Sequence, residues 1–124
     1  MSDGNRCCPK YQRAADLLCR RWTTLIVRAL LPGPRRFTEV TEAIPGLSDR
    51  LLSQRLKELE AAGIVTRRVY PAVPVRVEYA LTTKGCDLER VLAELQCWAD
   101  RWEHEPTLPA AVLAGSELFF PGPG

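Results

Sequence analysis

Apolar and polar residues follow one another along this chain in blocks whose period changes. From Lys10 to Arg21, residues Ala14, Ala15, Leu17 and Leu18 recur at helical spacing and predict a short amphipathic helix. The segment TTLIVRALL after Trp22 is apolar nearly all round, with Arg28 as its main polar position. It predicts a buried central helix, capped by Thr23 or Thr24 and ended by Pro32-Gly33-Pro34. Arg35-Arg36-Phe37 reads as a short extended piece, and Thr38 as the cap of a small helix, TEVTEAI, stopped at Pro45-Gly46. Ser48 caps the next helix, in which Leu52, Leu56 and Leu59 form one inward stripe. Gly63 ends that helix. Two helices joined by Ile44-Pro45-Gly46-Leu47 have the lengths and the short link of a helix-turn-helix.

Beyond Gly63 the period drops to two. Ile64 to Tyr70 and Val75 to Thr82 alternate with β-branched and aromatic residues, as strands do. Pro71 and Pro74 cannot donate to a ladder and so belong at the hairpin tip. Thr82 or Thr83 then caps a final helix, KGCDLERVLAELQCWADRWEHE. Its residues Leu88, Val91, Leu92, Leu95, Trp98, Ala99 and Trp102 share one broad apolar face. Two tryptophans on one helix are more than so small a domain usually buries, so this face is expected to join two copies in a C2 dimer. The predicted class is mainly α with a small antiparallel β-hairpin (α+β). One domain is expected over 8–104 and a C-terminal tail over 105–124. The tail is apolar in patches and rich in Pro and Gly, and its sequence suits either a flexible segment or docking through Leu118, Phe119 and Phe120.

Composition adds less than the distribution of charge. With 46% apolar and 26% charged residues over 124 positions, the chain is an ordinary globular sequence. No apolar run approaches the roughly 20 residues of a membrane span, and MSDGNRCCPK offers no signal peptide, so a cytoplasmic protein without membrane contact is expected. The net charge of +2 hides a division. Arg6 to Arg76 hold 14 Lys/Arg against 6 Asp/Glu, and the other positions hold 3 against 9. A basic surface for a polyanion, and a separate segment with another task, follow from that asymmetry.

The basic part carries the candidate chemistry. Arg50, Ser53, Gln54 and Lys57 lie opposite the leucine stripe, with Glu58 as the only acid at their edge. Such a face suits base edges and phosphates, Arg pairing with guanine and Gln with adenine. An ordinary solvated helix carries similar residues, but the preceding short helix and the basic hairpin favour double-stranded DNA as partner. Ser48 and Asp49 stand at the helix N-terminus, whose amides attract phosphate while the Asp49 charge opposes it. Arg35 and Arg36 are further phosphate candidates. Arg67, Arg68 and Arg76 flank the hairpin tip, where Arg76 suits a wing against backbone or minor groove.

Five cysteines are an odd number with no CxxC pair, and His104 is the only histidine. Neither a disulfide framework nor a metal site is expected. Cys7 and Cys8 lie near Arg6 and Lys10, and cationic neighbours favour the thiolate form of a cysteine. The pair is a candidate redox sensor, or incidental. Cys19 and Cys97 sit beside apolar helix positions and are expected to be small buried hydrophobes. No Gly-rich phosphate loop, nucleophile signature or cofactor motif is present in the sequence, so neither an enzyme nor a bound cofactor is expected.

Three stretches carry a family resemblance: W-T-x-L-I at Trp22 to Ile26, G-P-x-R-F at Gly33 to Phe37, and V-Y-P-x-V-P-x-R-V-E-Y at Val69 to Tyr79. Together with Cys8-Pro9 they make the chain, from about Cys8 to Trp102, resemble the HxlR family of bacterial winged-helix transcription regulators. The resemblance implies a MarR-like winged helix-turn-helix, dimerised through its N- and C-terminal helices, that represses or activates transcription. By position, Ser48, Asp49, Arg50, Ser53, Gln54 and Lys57 would face the major groove and Arg76 would belong to the wing. Leu88, Val91, Leu92, Leu95, Trp98 and Trp102 would hold the dimer. Cys8 takes the place of an N-terminal cysteine that several relatives use to sense oxidants or electrophiles. The chain departs from the family in its second thiol, Cys7, and in Arg20 and Arg21, which replace the usual glycines and suggest added phosphate contacts. Two alternatives stand beside this reading: a winged-helix module that binds proteins, and a regulator switched by a small molecule at the dimer interface.

Overall fold

The computed structural model describes residues 8–104. Cys7 and the tail over 105–124 lie outside the described residues. The order is α1 (Pro9–Leu18), α2 (Thr23–Leu30), α3 (Phe37–Ala43), α4 (Asp49–Ala61), β1 (Val65–Tyr70), β2 (Arg76–Leu81), α5 (Thr83–Cys86) and α6 (Glu89–Trp102). This is a mainly helical fold with one antiparallel hairpin, as the sequence pattern predicts. Contacts divide the chain after Glu89. The winged unit before that point contains the core described next, and α6 belongs almost wholly to the second unit.

The core of the winged unit is the set of positions that the periodicity marks as inward. Ile26, Val27 and Leu30 of α2 meet Val40 and Ile44 around α3 and Leu52, Leu56 and Leu59 of α4, all buried. Ile64, Val65 and Ala80 close the base of the hairpin. The α2 helix is the centre, although Leu25 and Arg28 face outward. In the hairpin, Val65 pairs with Leu81 and Tyr70 with Arg76. Arg35 extends the sheet by one bridge, with backbone bonds of 2.9 and 2.8 Å exchanged with Tyr79.

Several element ends differ from expectation, each for a tertiary reason. The first helix stops at Leu18 rather than Arg21, because a turn in which the Thr23 amide donates to the Arg20 carbonyl leads into α2. Trp22, not a threonine, is the N-cap of α2, in the left-handed region at φ 79°. Its carbonyl accepts the first helical bond, from the Ile26 amide. Thr23 is drawn into the core instead, and its hydroxyl has no partner among the described residues. Arg36 rather than Thr38 caps α3, its amide donating to Glu39 Oε1 at 2.8 Å.

The last helix is broken in two. Thr82 caps α5 as expected, accepting from the Gly85 amide at 3.1 Å. At Leu88 the chain tightens, its amide reaching back three residues to the Gly85 carbonyl, and α6 begins afresh with Glu89 in its favourable first turn. Leu88 therefore lies in the connection and not on the last helix. Just before the break, Gly85 is buried against the Ile64 carbonyl, where a Cβ has no room.

Residues 82–85 also finish the helix α4. Ala62 is its right-handed C-cap, and Gly63 (φ 76°) makes the left-handed exit. Thr82 Oγ1 donates to the Gly63 carbonyl and, at 3.2 Å, to that of Ile64. Lys84 Nζ donates to the Ala62 carbonyl at 2.7 Å. No helix among the described residues is long and apolar enough to cross a membrane.

Candidate nucleic-acid interface

The candidate reading head is α3, a tight turn, and α4. Ile44 and Leu47 are buried on either side of the turn, and Gly46 permits its reversal at φ 91°. Ser48 Oγ accepts from the Leu51 amide at 3.1 Å and so fixes where α4 starts. With Leu52, Leu56 and Leu59 inward, Ser48, Asp49, Arg50, Gln54 and Lys57 stand exposed and Ser53 is half-buried. Arg50, Ser53, Gln54 and Lys57 share the outward side of α4, and Ser48 and Asp49 stand at its N-terminus.

The basic side chains beyond α4 are held in different ways. Arg35 is half-buried and tied by its backbone to Tyr79, while Arg36 is exposed at the start of α3. Arg36 and Arg76 line one small cleft of about 290 Å³ with Ala72, Pro74, Val75 and Val77. The structure thus brings together two phosphate candidates 40 positions apart in sequence. Arg76 lies over the Tyr70 ring at 4.5 Å and its Nε is 3.5 Å from Glu78 Oε2. The wing tip itself is apolar, with Val73 and Val75 exposed.

A cluster that the sequence reading did not single out sits at the edge of the polar face. Glu58 accepts an ion pair from Arg20 at 3.0 Å and another from Arg55 at 3.3 Å. Arg55 Nε also donates to the Arg21 carbonyl at 2.9 Å, and Gln54 Nε2 reaches Glu58 Oε2 at 3.4 Å. Burial of Glu58 works to raise its pKa. The Arg20 hydrogen bond and charge, the Arg55 charge and the Gln54 bond together outweigh burial, and hold the carboxyl below its ordinary value. Arg20 is therefore engaged inside the unit rather than simply offered to phosphate, and Arg21 lies 4.7 Å over the Trp22 ring. The spacing of Gln54, Arg55 and Glu58 was a legible local signal; the reach to Arg20 and Arg21 was not.

Cys8 is the N-cap of α1 and is exposed, its carbonyl accepting from the Gln12 amide at 2.9 Å. Cys19 and Cys97 are exposed too, contrary to the expectation of buried positions. Cys19 falls just past the end of α1, and Cys97 lies off the inward side of α6. A cleft of about 570 Å³ runs beside α1, walled by Leu17, Leu18, Ile64 and Leu88, with Lys10 and Arg13 at its rim. On α6, Leu92 is buried, whereas Val91, Leu95, Trp98 and Trp102 are each about half exposed.

Comparison with known proteins agrees with this arrangement. Residues 17–107 match the HxlR-like helix-turn-helix family model. The chain is 52% identical over 95 residues to YvaP of Bacillus subtilis (strain 168), an uncharacterised HTH-type transcriptional regulator, covering 77% of this chain and 88% of YvaP. It is 50% identical over 99 residues to the HTH-type transcriptional regulator YodB of the same organism, covering 80% and 88%. The reduced form of YodB superimposes with a TM-score of 0.71 at 49% identity, over 79% of this chain and 96% of that one. YodB is also known in a quinone-bound form, with a TM-score of 0.67 at 47% identity over 76% and 99%. The redox regulator HypR in its oxidised form gives 0.73 at 34% identity, over 79% and 100%.

Proposed function

Because the chain belongs to the HxlR-like helix-turn-helix family, we propose that it regulates transcription from a specific double-stranded DNA site, with α4 in the major groove and the hairpin as a wing. The observation that carries this reading is the Ser48-capped helix, whose leucine stripe is buried while Arg50, Gln54 and Lys57 stand in solvent. Arg50 and Gln54 read bases, Ser53 and Lys57 support them, and Ser48 with Asp49 sets the helix end against the backbone. Arg35, Arg36 and Arg76 contact phosphates beside the groove. The protein works in the cytoplasm and without catalysis.

It acts as a homodimer. Half-exposed Val91, Leu95, Trp98 and Trp102 on one short helix are supporting evidence, since so much apolar surface calls for a partner. Two copies about a twofold axis set their reading helices about 34 Å apart, one turn of B-DNA. The signal is an oxidant or electrophile acting on the Cys8 thiol. Exposure of Cys8 at the start of α1 supports this, as do relatives named as a redox regulator and solved with quinone. The cleft beside α1 favours a second kind of input, a small organic ligand.

Selection of genomic fragments by the purified protein, followed by sequencing, tests the reading. A single enriched site bound in a strongly salt-dependent manner is expected. No enrichment over heparin-like competitor, or salt-insensitive binding, would point to a protein-interaction module instead. Diamide or a quinone should change affinity for the enriched site, and Cys8→Ser should abolish that change.

A further inference from the structure

We propose that Glu58 is a positioning residue for base recognition: it orients the Gln54 amide and is itself anchored by Arg20 and Arg55. The inference rests on Gln54 being a base reader, as argued above. An amide side chain can stand either way round, since its oxygen and nitrogen exchange places by a half-turn. A carboxylate accepts hydrogen bonds and does not donate them when ionised, so it can face only the nitrogen end. Glu58 Oε2 lies 3.4 Å from Gln54 Nε2, and the pair is separated by one helical turn on the outward side of α4. That contact selects one orientation and leaves the Gln54 oxygen and one N–H for adenine, which needs an acceptor and a donor together.

The carboxylate would be unsuited to this place without its two cations. A bare negative charge beside bases and phosphates repels the ligand. Arg20 at 3.0 Å and Arg55 at 3.3 Å offset it, leaving the cluster positive. They also fix its location. Arg55 is bonded to the Arg21 carbonyl, and Arg20 lies just past Cys19, the C-cap of α1, so Glu58 is referred to the α1–α2 connection and not only to its own helix. The amide orientation is thereby linked to the helix that carries Cys8 at its start.

A double-mutant cycle on the site enriched by selection tests the role. Affinity is measured for that site and for versions with single A·T pairs replaced, by the full chain and by Gln54→Ala, Glu58→Ala and the double variant. Glu58→Ala should reduce discrimination at one A·T position by about two- to threefold, because the amide then stands the productive way round in only part of its population, whereas Gln54→Ala should lose the whole contact, about tenfold. The double variant should discriminate no worse than Gln54→Ala alone, and Arg20→Ala should show a smaller loss at the same position. Thermal midpoints recorded alongside separate positioning from folding, because a structural role alone lowers the midpoint and leaves the discrimination ratio unchanged. If Gln54→Ala loses discrimination and Glu58→Ala keeps it, the positioning role is wrong and the base reader stands. If Gln54→Ala keeps full discrimination, the base-reading assignment itself fails, and the role of Glu58 with it.

Discussion

Arg76 stands opposite Tyr70 in the hairpin register, and its guanidinium carbon lies 4.5 Å from the centre of the Tyr70 ring. The ring face attracts the cation and limits the directions the side chain samples. A wing arginine held in this way contacts phosphate with less ordering to do on binding. Tyr70→Leu should therefore weaken binding to all DNA sequences by about two- to fivefold, the worth of an exposed cation–π contact. Arg76→Ala should weaken it further and lower the salt slope by about one. Fluorescence anisotropy at several salt concentrations measures both. A change confined to one base position would contradict the wing assignment.

Ser48 carries a different load, because its oxygen satisfies an amide at the start of the reading helix. Ser48→Ala should cost about 1 kcal/mol. In a domain of this size that lowers the thermal midpoint by roughly 4–8 °C. Circular dichroism melting gives the value, and Ser48→Asp should restore most of it.

Glu58 makes stability depend on pH. Its folded carboxyl sits below the ordinary value, so on acidification the unfolded chain takes up its proton first. The contribution is complete above the usual carboxylate range and fades as pH falls through the lowered value. Urea midpoints measured over that range should drop more steeply for the wild type than for Glu58→Gln. Parallel curves would mean that the ion pairs with Arg20 and Arg55 contribute nothing.

Gly85 is expected to tolerate no side chain. A Cβ there would collide with the Ile64 carbonyl and crowd the Ile64 and Leu81 side chains at 3.1 Å. Because the nearest atom is backbone, relief requires the hairpin base to move. Gly85→Ala should destabilise by about 1–3 kcal/mol, as overpacking does, and equilibrium urea unfolding is the measurement.

On α6, Leu95→Glu places a charge in the apolar face and should convert dimer to monomer in sedimentation velocity. Affinity for a twofold-symmetric DNA site should fall by more than about tenfold, since each monomer then binds one half-site alone. An unchanged sedimentation coefficient would remove α6 from the interface.

The helix-turn-helix and its hairpin were legible because their signals are local. Ser48 and Gly63 punctuate α4, the leucine stripe sets its inward face, and the two prolines place the hairpin tip. What escaped depends on contacts between distant residues. Thr23 has the chemistry of a cap, but burial in the core claims it, and Trp22 takes the position in a conformation that side chains rarely adopt. Nothing in KGCDLERV marks a break, nor does it show that Gly85 is packed against the Ile64 carbonyl some twenty positions earlier. Cys19 and Cys97 were misjudged because neighbouring apolar positions say little about the direction of one side chain. The Arg20–Glu58 pair spans 38 positions, beyond any periodic pattern.

The end of α4 has a consequence for synthesis. The carbonyls of Ala62, Gly63 and Ile64, in the turn that follows it, are held by Thr82 and Lys84, about twenty positions downstream. A ribosome releases all of α4 well before the residues that hold the turn after it. The nascent chain therefore lacks these bonds to the exit of α4 until the whole hairpin and the start of α5 have emerged. Fragments cut short within the hairpin lack that closure, and the passage from α4 into β1 is left to its own local bonds.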